Sequence, residues 1–126
     1  MATIDISIQV KGANNISKPI LITESITDTT LDGKNFNWDA TIVDTDGFVT
    51  LPKVGLGTAI TKIFVQSTEC TLRLNDGAQD LDIPVKDYLV YSVGTTLGTN
   101  IVSSGSIQVK TDSTSALTAD VTIFGS

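Results

Sequence analysis

Histidine is absent from the 126 residues, and cysteine occurs once. The first absence removes Ser-His-Asp triads, Cys-His dyads and His-ligated metal sites; the second removes Cys-rich zinc clusters and any disulfide within the chain. No cofactor or metal is expected. Positive charge is scarce too, with 8 Lys and Arg against 14 Asp and Glu, a net charge of −6. The cations Lys11, Lys18, Lys34, Lys53, Lys62, Arg73, Lys86 and Lys110 are spread singly along the chain. A phosphate-tracking groove would have to form against the field of the whole protein, so no nucleic-acid partner is expected. No stretch approaches the roughly 18–20 apolar residues of a membrane span. The opening Met1-Ala2-Thr3-Ile4-Asp5 has neither a positive segment nor an apolar run. It predicts no secretory signal, and hence cytoplasmic synthesis with Cys70 unpaired.

What is present is alternation. Ile4, Ile6, Ile8 and Val10 fall on one face of an extended run and Asp5, Ser7 and Gln9 on the other, the pattern of a half-buried strand. Further strands are predicted at residues 19–27, 36–42, 48–51, 60–66, 70–75, 81–85, 88–91, 106–110 and 117–123. Asp32-Gly33, Asp46-Gly47 and Asp76-Gly77 lie between extended runs and predict three hairpin turns, because glycine supplies the positive φ such turns need. Apolar residues never recur at helical spacing over more than a turn, and Thr, Ile and Val stand where helix formers would be needed. The expected fold is all-β with little or no helix: antiparallel strands in a two-sheet β-sandwich or jelly roll. At about two-thirds surface burial, 126 residues suffice for one such domain over 1–126, with residues 1–10 as an edge strand or arm. Residues 54–59 and 93–106, rich in Gly, Thr and Ser, are predicted to be surface loops.

The constellations that resemble chemistry have plainer readings. Asp44-Thr45-Asp46-Gly47 starts like a calcium loop, but Phe48 occupies the next position and no glutamate closes the set. Asp80 and Asp82 share a strand face, yet their alternation with Leu81 and Ile83 makes them the solvated side of a half-buried strand rather than a catalytic pair. A hydrolase using them would need a cleft that small packed sheets seldom have. Asn15-Ile16-Ser17 matches a glycosylation sequon without a secretory signal, and Gly55-Leu56-Gly57 lacks the third glycine and the helix of a phosphate loop. Cys70 alternates with Leu72 and Leu74 and is expected to be a small buried hydrophobe. Trp38 and Tyr91 are the available platform for sugar stacking, with core or rim packing the simpler role. At Ile63-Phe64-Val65 and Tyr88-Leu89-Val90-Tyr91, apolar residues occupy both strand faces, which implies cover on two sides.

The segments Phe64-Val65-Gln66-Ser67, Leu72-Arg73-Leu74-Asn75-Asp76-Gly77, Ile83-Pro84-Val85, Tyr88-Leu89-Val90-Tyr91 and Ala119-Asp120-Val121-Thr122-Ile123-Phe124-Gly125 give residues 60–126 a texture that resembles small β-sandwich virion proteins of tailed bacteriophages. Within that group the resemblance is to head decoration or cement proteins. It implies a non-enzymatic capsid-stabilising subunit, often a homotrimer, bound to the major capsid protein on the outside of the mature head. The expected interface residues are Phe64, Tyr88, Tyr91 and Phe124 on strands and Leu56 and Leu97 in the Gly/Thr-rich loops. The alternative is a tail or baseplate module that recognises a host glycan or receptor.

Overall fold

The computed structural model describes residues 2–10, 20–28, 35–53 and 56–125. The chain divides into two compact units, Met1–Asp32 and Gly33–Ser126. In the first, β1 (Ala2–Val10) pairs antiparallel with β2 (Ile20–Asp28). The register sets Ile4 opposite Ile26, Ile8 opposite Ile22 and Val10 opposite Ile20, three aliphatic pairs, while Ile6 stands opposite Glu24 and Leu21 opposite Gln9. Leu21 and Ile22 are exposed.

The second unit is one continuous six-stranded sheet curled into a half-barrel. Its strands are β3 (Asn35–Ile42), β4 (Val49–Thr50), β5 (Ile60–Asn75), β6 (Asp80–Ser92), β7 (Ser106–Lys110) and β8 (Leu117–Gly125). The all-β class and the antiparallel pairing agree with the sequence; a single curled sheet encloses this unit's core. Its spine is β5, which pairs along one edge with β6 and along the other first with β8 and then with β7. Outside these, β3 pairs with β8 and β4 with β7.

The four short strands predicted at 60–66, 70–75, 81–85 and 88–91 are in fact two long ones. They merge because a bulge at Ser67/Glu69 absorbs a change of phase. Before it Ile63, Val65 and Ser67 are buried, and after it Cys70, Leu72 and Leu74. Without one extra residue the second set would point to solvent, since a slip of one flips every side chain. Opposite the bulge, Asp87 takes φ +70°, a conformation aspartate tolerates better than most residues.

The core joins Ile63, Leu72, Leu74, Ile107, Val109, Val121 and Ile123, with Trp38, Tyr91 and Leu97 packed half-buried against it. Asp76-Gly77 makes the predicted hairpin, with Gly77 at φ +98° and Asp76 Oδ1 accepting from the amides of Ala78 and Gln79. Asp46-Gly47 does not join a hairpin. A 3-10 turn at Asp44–Asp46 leads into it, and the flanking strands pair elsewhere, β3 with β8 and β4 with β7. Asp32-Gly33 and the sequon at Asn15 lie outside the described residues.

Residues 93–106 depart from expectation. They hold a helix, α1 (Thr95–Ser103), not a loop. Its intrinsic propensity is poor, so burial and capping must sustain it. Ile101 is fully buried and Leu97, one turn earlier, packs against the core. Gly98 lets the helix approach β5 so closely that a Cβ there would stand 2.1 Å from the Ile60 carbonyl oxygen. At the C-terminal end the Lys53 ammonium donates to the carbonyls of Ile101 (3.0 Å), Val102 (3.3 Å) and Gly105 (2.5 Å). A cation there meets both the orphan carbonyls and the negative end of the helix dipole.

Candidate functional site

The two faces of the β5–β6 hairpin differ. In β6 the odd positions Ile83, Val85, Leu89 and Tyr91 turn toward the core, and the even positions Asp82, Pro84, Lys86, Tyr88 and Val90 turn out. Tyr88 is 75% exposed and Val90 43%. Beside them in register are Gln66 and Phe64 of β5, and beyond those Asp120 and Thr122 of β8. Phe64 meets Phe124 edge-on, with ring centroids 5.5 Å apart and planes at 78°. The result is an outer strip running from Phe124 through Phe64 to Val90 and Tyr88, with a shallow cleft of about 230 Å³ among Phe64, Tyr88, Val90 and Thr122.

This strip lies on a free edge, because among the described residues β6 pairs with β5 alone. Which backbone groups face outward follows from the ladder. At one end the Asp76 amide donates to the Gln79 carbonyl (3.1 Å), and at the other the Val93 amide donates to the Thr61 carbonyl (2.9 Å). Exchange alternates along an antiparallel pair. Counting in twos from either end, the odd residues of β6 bond to β5 and the even residues turn N–H and C=O away from it. Pro84, which has no N–H, fits at an even position. In the first half these even positions are Asp82, Pro84 and Lys86, the residue types that guard an edge against pairing. In the second half they are Tyr88, Val90 and Ser92, with no charge and no proline. The edge is guarded at one end and open at the other.

Of the interface residues expected from the sequence, Tyr88, Phe64 and Phe124 come together on this outer face, although Phe124 is 9% exposed beneath its neighbours. Tyr91 and Leu97 lie on the inner side against the core. Leu56 is corrected: it is fully buried and belongs to the core, with its carbonyl so near Gly125 that a Cβ there would meet it at 1.8 Å. Trp38 and Tyr91 are both packed half-buried against the core rather than laid out as an open pair of rings. Val90, not among the interface residues expected from the sequence, shares this outer face. Its signal was legible, since Pro84 and Lys86 give way to the uncharged run Tyr88-Leu89-Val90-Tyr91-Ser92.

Asp46, Asp80 and Asp82 are bound within the fold. Arg73 makes a two-pronged contact with Asp82, Nε to Oδ1 at 2.7 Å and Nη2 to Oδ2 at 2.9 Å. It also lies 3.7 Å from Asp80, and its guanidinium stacks 3.8 Å from the Phe48 ring centre. The Arg73 hydrogen bond holds the Asp82 carboxyl below its ordinary range, the opposite of what a proton donor needs. Asp46 accepts from the Val43 amide at 2.8 Å, which closes the 3-10 turn. Among the described residues no three His, Cys, Asp or Glu side chains are placed to hold a metal ion. Asp39 and Asp120 stand directly opposite across β3 and β8, and the repulsion of Asp39 pushes the Asp120 carboxyl up.

A cleft of about 470 Å³ opens near the point where β5 changes partner from β8 to β7, lined by Cys70, Val85, Lys86, Lys110 and Thr111 among others. Cys70 is buried as its alternation predicts. Burial pushes its thiol up, partly offset by the neighbouring Ser67 hydroxyl, so it is poorly placed to act as a thiolate.

No family model, no curated protein and no solved structure matches the chain.

Proposed function

We propose that the protein is a non-enzymatic virion component of the tailed-phage type, a capsid decoration subunit that binds the major capsid protein from outside and stabilises the mature head. The observation that carries this reading is the outer strip of Tyr88, Val90 and Phe64 beside an unguarded strand edge. A large aromatic 75% exposed on a rigid sheet is the anchor type that dominates protein interfaces. The resemblance of residues 60–126 to head decoration proteins supplies the partner. A ligand that binds only the mature lattice stabilises it by mass action, and many repeated weak contacts suffice. The half-buried packing of Trp38 and Tyr91 gives the glycan-binding alternative no comparable support.

The test is immunogold labelling of phage particles from the source of the chain, with antibody raised against the purified protein. Label on heads is expected. Label on tails, or on no particle, overturns the proposal. Tyr88→Arg should abolish co-sedimentation with mature heads while leaving the far-ultraviolet circular dichroism unchanged.

A further inference from the structure

We infer that the open half of the β6 edge pairs with the same segment of a second copy, antiparallel about a two-fold axis through Val90, so that the two half-barrel sheets join into one. This rests on the reading of the outer face of β6 as a contact surface and names one occupant of it.

The argument starts from the backbone. Tyr88, Val90 and Ser92 present outward-directed N–H and C=O groups, and an antiparallel partner must meet them in pairs two residues apart. A two-fold axis at Val90 sets Val90 against Val90 of the copy, and Tyr88 against Ser92 in both directions. Every outward group of the open segment is then matched, as an isologous contact requires.

Charge selects the same arrangement. In this register Lys86 falls opposite Gly94 and Asp87 opposite Val93, so no charge meets its like. Asp80 and Asp82 of the two copies lie at opposite ends, away from the axis. Copies of net charge −6 can approach here because the uncharged run 88–92 is the part that meets. The outer face gains as well. Phe64 is beside Val90 within each copy, so the joined sheet carries a row Phe64, Val90, Val90, Phe64 across the axis. The guards at Pro84 and Lys86 limit pairing to about five residues per copy, too small for a tight dimer and suited to weak, concentration-dependent association. The self-contact is thus two-fold, where the resemblance implies a three-fold one.

The experiment combines light scattering up to about 1 mM protein with edge variants. Val90→Pro removes the outward N–H without touching the β5 ladder, as Pro84 already does earlier in the same strand. It should raise the dimer dissociation constant at least tenfold with the dichroism spectrum unchanged. Should it lose its fold, Val90→Lys provides the same block from the side chain. Val90→Cys should cross-link under mild oxidation, because paired Cα atoms about 5.5 Å apart lie within disulfide reach. Tyr88→Cys should not, its counterpart being roughly 13 Å away along the strand. A monomer at all concentrations without cross-linking, a trimer, or association insensitive to both edge variants overturns the inference. If heads are labelled while the edge variants change nothing, the decoration reading stands and the two-fold contact falls; a dimer with unlabelled particles has the reverse meaning.

Discussion

Lys53→Met tests whether one side chain holds α1 against its own poor propensity. The substitution keeps the unbranched stem and its packing while deleting the ammonium. Three carbonyl contacts are lost, at Ile101, Val102 and Gly105. A hydrogen bond to a charged group contributes roughly 1.5–3 kcal/mol. The three are not additive, because they share one cation and some carbonyls regain water. The charge at a partly buried helix C-terminus contributes up to ~2 kcal/mol by itself. The expected loss is therefore ~2–3 kcal/mol, or ~6–12 °C in Tm for a chain of this size. Denaturant unfolding followed by fluorescence of Trp38, the single tryptophan, reports on the unit that contains the helix. The midpoint should fall at constant slope. A loss under ~0.5 kcal/mol, the level of an ordinary surface substitution, would refute the reasoning.

Gly98→Ala improves helix propensity by ~1 kcal/mol yet should destabilise by ~1–3 kcal/mol net, because the new Cβ meets the Ile60 carbonyl at 2.1 Å; thermal melts check the sign. Asp120→Asn should raise Tm at pH 7. The folded carboxyl is pushed above its unfolded value by Asp39, so the penalty is complete above the folded pKa and vanishes as pH falls through it to below 3.8. The gap between variant and parent should close in melts taken below pH 4. The opposite holds for Asp82, whose Arg73 partner depresses its folded pKa: that contribution is present above 3.8 and is lost as pH falls through the lower folded value. Arg73→Met should therefore reduce stability at pH 7 more than at pH 2.

Much of the candidate surface was legible in local pattern. Apolar residues on both faces at Ile63-Phe64-Val65 and Tyr88-Leu89-Val90-Tyr91 imply cover on two sides; Phe64, Tyr88 and Val90 do face outward there, but Tyr88 and Val90 are exposed rather than covered. The glycine neighbours of Leu56 suggest an exposed loop, whereas its side chain is buried in the core. Exposure of a loop leucine depends on what the loop folds over, and no local pattern carries that.

Local sequence shows where the chain is extended, because side-chain alternation has a period of two residues and survives in any all-β arrangement. It also determined the hairpin at Asp76-Gly77, where a positive φ needs a residue without a Cβ. Local pattern does not show that Cys70 continues the strand of Val65 across a bulge, that Asn35 pairs with Phe124 nearly ninety residues away, or that 95–103 is helical. Each of these depends on partners remote in sequence, such as the Ile60 backbone beneath Gly98 and the Lys53 ammonium at the helix end. Their contribution exists only after the chain has closed on itself.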